Sequence, residues 1–355
     1  MPEPSPLTEV TLVDAALIAA RPAPAAPSRA LSWRSASFRA VVYQVLAVLV
    51  ITALVWLLVS NTLVNMRLRG IQSGFDFLLQ PAGFDIGEGW LTYDSASPYW
   101  KAFLVGIVNT LRVAVVGCVL AALLGTLLGV ARFSRNALLR GISYGYVELF
   151  RNIPLLLQLL MWYLLFIEYL PLPQEAISIG KFIFLSKNGV SFPSLSWTNG
   201  VLQFELPAMG DLQIEGGSAL SPEYMAVLLG LVLYTAAFMA EVVRAGIASV
   251  PKGQTEAAAS IGLPKAKAMR LVVLPQALRL IIPPMTNQFL NLTKNSSLAV
   301  AVGYPEVVSI ANTSLNQSGR AVECIAIIML VYLTLSLSVA ALMNWFNRRA
   351  AIKER

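Results

Sequence analysis

The sequence predicts an all-α membrane protein of about six transmembrane helices, a five-helix body preceded by one extra N-terminal helix. Three observations carry that prediction. Of 355 residues, 57% are hydrophobic and only 13% charged, more apolar matter than one water-soluble core absorbs. That matter is gathered into runs long enough for a hydrocarbon layer of about 30 Å, which takes roughly 20 residues at 1.5 Å each. Basic residues collect on alternate sides of those runs.

Residues 1–40 are rich in Pro, Ala and Ser and lack a long periodic apolar face, so they read as a mostly disordered cytoplasmic arm. The first run, 41–64, exceeds the roughly 7–15 apolar residues of a cleaved signal. Ser60-Asn61-Thr62 offers no small-residue cleavage site after it, so an uncleaved anchor is expected. A periplasmic loop at 65–102 follows. The remaining runs are Phe103 to Val130, Tyr146 to Leu170, Met225 to Val242, Leu271 to Leu292 and Ala321 to Phe346, within a transmembrane domain at 103–349. The run from Leu271 carries Pro275, Arg279, Pro283 and Pro284, an interruption that lipid does not tolerate but a protein-lined or wet cavity does. Residues 171–224 hold turn residues and a short apolar run at Phe182 to Leu185, too brief to span, and read as a periplasmic insertion. Residues 243–270 form a cytoplasmic loop and 350–355 a cytoplasmic tail.

Orientation follows from charge. With the N-terminus inside, cytoplasmic segments collect Arg21, Arg29, Arg34 and Arg39, then Arg132, Arg135 and Arg140, then Arg244, Lys252, Lys265, Lys267 and Arg270, then Arg348, Arg349, Lys353 and Arg355. Outer segments hold fewer: Arg67, Arg69, Lys101, Lys181, Lys187, Lys294 and Arg320. The positive-inside rule places both termini in the cytoplasm.

The chain has no histidine, which removes the commonest general base and metal ligand, and no G-x-x-x-x-G-K-[ST] loop to cradle a nucleotide. No catalytic residue, metal site or bound cofactor is expected. The net charge of +7 is scattered over short loops without an aromatic-basic patch, so membrane lipid rather than nucleic acid accounts for it. Cys118 and Cys324 sit inside apolar runs and read as small packing residues.

The cytoplasmic loop is the most informative segment. Thr255 reads as a cap, Glu256 as first-turn charge, Ala257, Ala258 and Ala259 as a thin helix, and Gly262 as its left-handed stop. Pro264 suits the first position of a second short helix, and Leu274-Pro275 marks re-entry into the membrane. The piece from Glu256 to Ile261 is only about 9 Å long. Its small side chains allow close approach, while Ile261 and Leu263 offer apolar contact to a groove. This block, Glu256-Ala257-Ala258-Ala259-Ser260-Ile261-Gly262 running on to Val272-Val273-Leu274-Pro275, resembles the E-A-A-x-x-x-G-x9-I-x-L-P signature of permease subunits of bacterial ABC importers, with Val272 in the isoleucine position.

Phe150-Arg151-Asn152-Ile153-Pro154-Leu155-Leu156-Leu157-Gln158-Leu159 is similar to the F-R-x-x-P-L-L-x-Q-L stretch of polar amino-acid permeases of the histidine, glutamine and general L-amino-acid type. Asn109-Thr110-Leu111, Tyr234-Thr235-Ala236-Ala237, Glu241 to Ile247 and Lys294 to Leu298 extend that likeness. The resemblance implies a type I importer permease core and a pore subunit in the bacterial inner membrane that moves L-amino acids by alternating access. It further implies two copies of a separate ATP-binding subunit contacting Glu256 to Ala259 and Ile261 to Pro264, with ATP and Mg held there. A second permease subunit forming a heterodimer and a periplasmic amino-acid-binding protein complete the implied assembly.

Within the membrane, Asn287, Asn291 and Thr293 recur near helical spacing and end at Lys294, so one face is a candidate translocation path, together with Ser296 and Ser297. The same asparagines serve equally well as interhelical hydrogen bonds. Arg279 reads as a residue snorkelling to headgroups, and Glu148 with Arg151 and Glu241 with Arg244 as i, i+3 pairs. A secondary, ion-coupled amino-acid transporter is the rival class. It should show inverted repeats and usually a mid-membrane acid or ion site; no repeat is visible, the acids lie mostly near span ends or outside, and such a transporter has no use for the E-A-A loop.

Overall fold

The computed structural model describes residues 35–350 apart from 69, 71, 72, 181, 199, 200, 211 and 212, so most of the 1–40 arm and the 351–355 end of the tail lie outside the described residues. The chain divides into two units, Met1–Ile71 and Gln72–Arg355. In the first, helix α1 (Ala36–Leu68) runs 33 residues, about 50 Å, past both ends of the expected anchor. Its most apolar 18-residue stretch has a mean hydropathy of 2.5, the composition of a helix that crosses a membrane. Its polar groups are met within the helix: Ser60 Oγ donates to the Leu57 carbonyl and Thr62 Oγ1 to that of Leu58.

The second unit contains α2 (Tyr99–Ala131), α3 (Ala137–Asn152), α4 (Leu155–Tyr169), α5 (Pro222–Ala248), α6 (Lys252–Ser260), α7 (Lys265–Ala268), α8 (Leu274–Asn295), α9 (Val307–Ser318) and α10 (Ala321–Ala350). Five helical segments of the described chain are long and apolar enough to cross a membrane, and the bent pair α3 and α4 makes a sixth if taken as one span. The centre is α5, which touches α2, α3, α4 and α8 and buries 61% of its most apolar stretch. Small residues make that contact possible. Gly117, Ala121, Gly125 and Gly129 lie four apart on one buried face of α2, so the backbones of α2 and α5 meet where side chains would hold them off.

The third expected span, Tyr146 to Leu170, is not one straight helix. It breaks at Ile153-Pro154, and α3 and α4 meet at 104°. Pro154 has no N–H for the next turn and drives Ile153 into extended backbone (φ −98°, ψ 127°). The break would orphan carbonyls, and Gln158, 1% exposed, repairs it: its Nε2 donates to the Phe150 carbonyl at 3.0 Å and the Ile153 carbonyl at 2.9 Å.

The all-α prediction holds for the membrane body. The 171–224 insertion instead folds as short antiparallel strands: β1 (Ile177–Ile179), β2 (Ile183–Ser186), β3 (Gly189–Phe192), β4 (Ser194–Thr198), β5 (Val201–Glu205), β6 (Ala208–Met209), β7 (Ile214–Glu215) and β8 (Ser218–Leu220). They pair as a sheet in the order β1-β2-β3-β8 and as two hairpins, β4-β5 and β6-β7. The apolar run at Phe182 to Leu185 that is too short to span is largely β2, paired on both sides.

At the end of α2 away from the α6 loop, the chain from residue 73 to 98 packs Phe77 and Ala82 against Tyr99, Phe103, Ile310 and Cys324. Asn109, fully buried, ties three segments there by donating through Nδ2 to the carbonyls of Glu88 and Pro305, both at 2.9 Å. Arg112 pairs with Glu88 at 2.7 Å and lies 4.2 Å from the Tyr224 ring centre. Glu88 also accepts from the Ser221 hydroxyl, which caps α5 at the Tyr224 N–H. Burial raises the Glu88 carboxyl above its ordinary value, opposed by Ser221 and Arg112. Both cysteines are free, Cys324 buried and Cys118 half-buried.

Candidate functional site

The loop between α5 and α8 forms a short peg. Helix α6 is nine residues long, about 13 Å, and begins at Lys252, earlier than the sequence suggested. Pro251 occupies the cap position without a side-chain bond, and Thr255 lies inside the helix with its Oγ1 donating to the Lys252 carbonyl. Thr255 is therefore not the cap and Glu256 not in the first turn: a proline that fixes φ and needs no N–H starts the helix instead.

The far end is as expected. Gly262 has φ +79°, its N–H donates to the Ala259 carbonyl at 2.9 Å, and the Leu263 N–H donates to the Ala258 carbonyl at 3.0 Å. These two bonds define a Schellman stop, which needs a residue that takes the left-handed region without strain. Glu256, Ala257, Ala259, Gly262 and Pro264 are exposed, as is Ile261 at 77%; Leu263 is half-buried and only Ala258 is buried. Pro264 caps α7 rather than opening it. The result is a thin helix lying against the turn that follows α7, with an uncovered isoleucine at its tip.

Just before α8 the chain makes one π turn, Met269–Val273, where the Leu274 N–H reaches the Met269 carbonyl five residues back. Pro275 explains it: its ring crowds the carbonyl four residues earlier and supplies no N–H, so the helix widens by one residue. From there α8 runs through Pro283 and Pro284 to Asn295 and tightens into a 3-10 turn, Ser296–Val302.

Of the expected path residues, Asn287, Asn291 and Lys294 fall on one exposed face of α8, continuing the exposed Leu280, Pro283 and Pro284. Ser296 does not join them. It is 1% exposed and its Oγ donates to the Thr293 carbonyl. Ser297 is half-buried with its hydroxyl on the Lys294 carbonyl. Arg279 is half-buried, and its Nε has no hydrogen-bond partner among the described residues.

Glu241 does more than pair along its own helix. One carboxylate oxygen accepts from Arg244 Nε at 3.0 Å and the other from Arg132 at the end of α2 at 2.5 Å, so the last two turns of α5, which lead into the α6 loop, are clasped to α2. The expected Glu148–Arg151 pair is absent from the ion pairs among the described residues. Arg151 lies over the Phe238 ring at 5.2 Å, while Glu148 accepts from the Asn152 amide. Gln158, Gln276 and Arg132 were not singled out from sequence as individual side chains; the prolines at 154 and 275, whose orphaned carbonyls need donors nearby, were the available signal for the two glutamines.

A membrane helix interrupted by prolines, a central helix packed on small residues and an exposed peg between them define a multi-pass membrane transport subunit. Residues 117–352 match the family described as binding-protein-dependent transport system inner membrane component, and the chain belongs to that family. It is 41% identical over 357 residues to the general L-amino acid transport system permease protein AapQ of Rhizobium johnstonii, covering 85% of this chain and 89% of that one. It is 33% identical over 388 residues to the glutamate/glutamine/aspartate/asparagine transport system permease protein BztB of Rhodobacter capsulatus, covering 85% and 91%. Among solved structures, an amino acid ABC transporter with histidines superposes with a TM-score of 0.52 at 25% identity, over 71% of this chain and 95% of that chain.

Proposed function

We propose that this chain is the pore subunit of an ATP-driven importer that moves L-amino acids across the bacterial inner membrane by alternating access. The observation that carries the reading is the α6 peg: a helix ended by Gly262 that leaves Ile261 uncovered, linked by a three-residue turn to the central helix α5 on one side and through α7 and the π turn to α8, the gate helix of this reading, on the other. The peg seats in a groove on a separate ATPase subunit through Glu256 to Ala259 and Ile261 to Pro264. Two such ATPases, holding ATP and Mg, sit beneath a heterodimer of this chain and a second permease, and both termini face the cytoplasm. Closure of the motors draws the pegs together and reverses the opening of the cavity. A periplasmic binding protein delivers substrate from the other side.

Asn287, Asn291 and Lys294 form the path face toward the second permease. The amides supply both donors and acceptors for a zwitterion, and the ammonium attracts its carboxylate. The names of the relatives, a general L-amino-acid permease and one for acidic amino acids and their amides, support an amino-acid substrate. The test is co-purification with the ATPase subunit after G262D or E256K. The proposal expects both substitutions to abolish association and ATP-dependent uptake, and retention of both properties in both variants overturns it.

A further inference from the structure

Gln276, one residue past the proline that widens the helix base, makes two bonds through one amide nitrogen. Its Nε2 donates to the Val272 carbonyl inside the π turn at 2.9 Å and to Gln254 Oε1 on α6 at 3.4 Å. The first bond satisfies a carbonyl at the π turn. The second is the side-chain hydrogen bond, among those described, that joins the peg to the gate helix. A π turn is a wider and less stable winding than the helix on either side and recurs at functional positions. A side chain that locks it while also holding the peg sets how peg displacement reaches α8.

We propose that Gln276 is a positioning residue that transmits the motion of α6 to the gate helix through the Gln254 bond, a role that rests on the reading of α6 as the ATPase contact. Transmission needs a donor at 276 and an acceptor at 254, which distinguishes it from mere packing. The experiment is the assembled importer in proteoliposomes, reading amino acid transported per ATP hydrolysed. Q276A and Q276E, the latter of equal length but without the donor, should each lower that ratio roughly fivefold, the scale of losing the one transmitting bond to Gln254. Q254A should lower it as much, Q254E should keep it within about twofold because the acceptor remains, and the Q254A/Q276A pair should lose no more than either single change.

A wild-type ratio in Q276E, or a double variant whose loss is the product of the single losses, overturns the inference. If Q276 variants do not accumulate, Q254A and Q254E on the exposed side of α6 decide it alone: equal ratios overturn it. G262D separates the two claims. Association and uptake retained in both G262D and E256K sink the α6 reading itself, whereas assembly lost in them with a normal ratio in Q276E sinks only the role of Gln276.

Discussion

Gly125 of α2 lies so close to Met239 of α5 that a β-carbon at position 125 would sit 2.6 Å from the Met239 β-carbon and 2.9 Å from the Ala236 carbonyl oxygen. No rotamer relieves a clash between two β-carbons and a backbone, so the helices must separate. G125A is expected to destabilise the protein by about 1–3 kcal/mol, the usual cost of overpacking. G141A, on α3 with nothing within 4 Å, should be neutral or slightly stabilising. Thermal unfolding in detergent, comparing the two variants with wild type, checks the pair.

The repair at Ile153-Pro154 makes a second expectation. Q158L keeps the volume but leaves the Phe150 and Ile153 carbonyls without donors in a buried site. The loss should be about 1–3 kcal/mol for an unsatisfied buried group. It should appear as a lower Tm and as faster hydrogen exchange at the start of α4.

The clasp on Glu241 predicts an order rather than a single value. The Arg132 side chain is 12% exposed and that of Arg244 37% exposed. R132A should therefore cost more than R244A, whose screened pair is worth no more than about 1 kcal/mol. Tm values measured at low and high salt check this: the R244A difference should shrink with salt, and that of R132A should persist.

Glu306 supplies a pH dependence. Buried and fully covered, its carboxyl is pushed up to about 7 by desolvation, although it accepts from the Val308 and Ser309 N–H groups of α9 and from the Tyr332 hydroxyl. A raised folded-state value means the folded protein holds a proton that the unfolded chain has released. Stability from this group is thus full below about pH 4.5 and falls as pH rises toward 7. E306Q should flatten that slope, read as the change in Tm between pH 5 and 7.5 in the variant against wild type.

Much of this architecture was legible because membrane helices are dictated by length and apolarity, which a single chain displays. The left-handed stop was legible at Gly262, since few other residues tolerate its φ of +79°. The start of α6 was misplaced because Thr255 is a good cap in isolation, and Pro251, which opens the helix, leaves no side-chain bond to anticipate. The bend between α3 and α4 was missed because hydropathy runs straight through Ile153-Pro154, and only the proline's missing donor breaks the helix. The strands of the insertion were hidden by their brevity, since two to five residues display little alternation. Ser296 falls outside the path face because, at about 3.6 residues per turn, its distance from Asn287 carries it to the opposite, buried side of the helix.

The central claim is that α6 meets the ATPase from the cytoplasmic side, and crosslinking from I261C tests it most directly. In a background carrying C118A and C324A, a short bifunctional reagent should join position 261 to the ATPase subunit in inside-out vesicles, and nucleotide should change the yield. Labelling of I261C from the periplasmic face, or no adduct with the ATPase in assembled complexes, would contradict it.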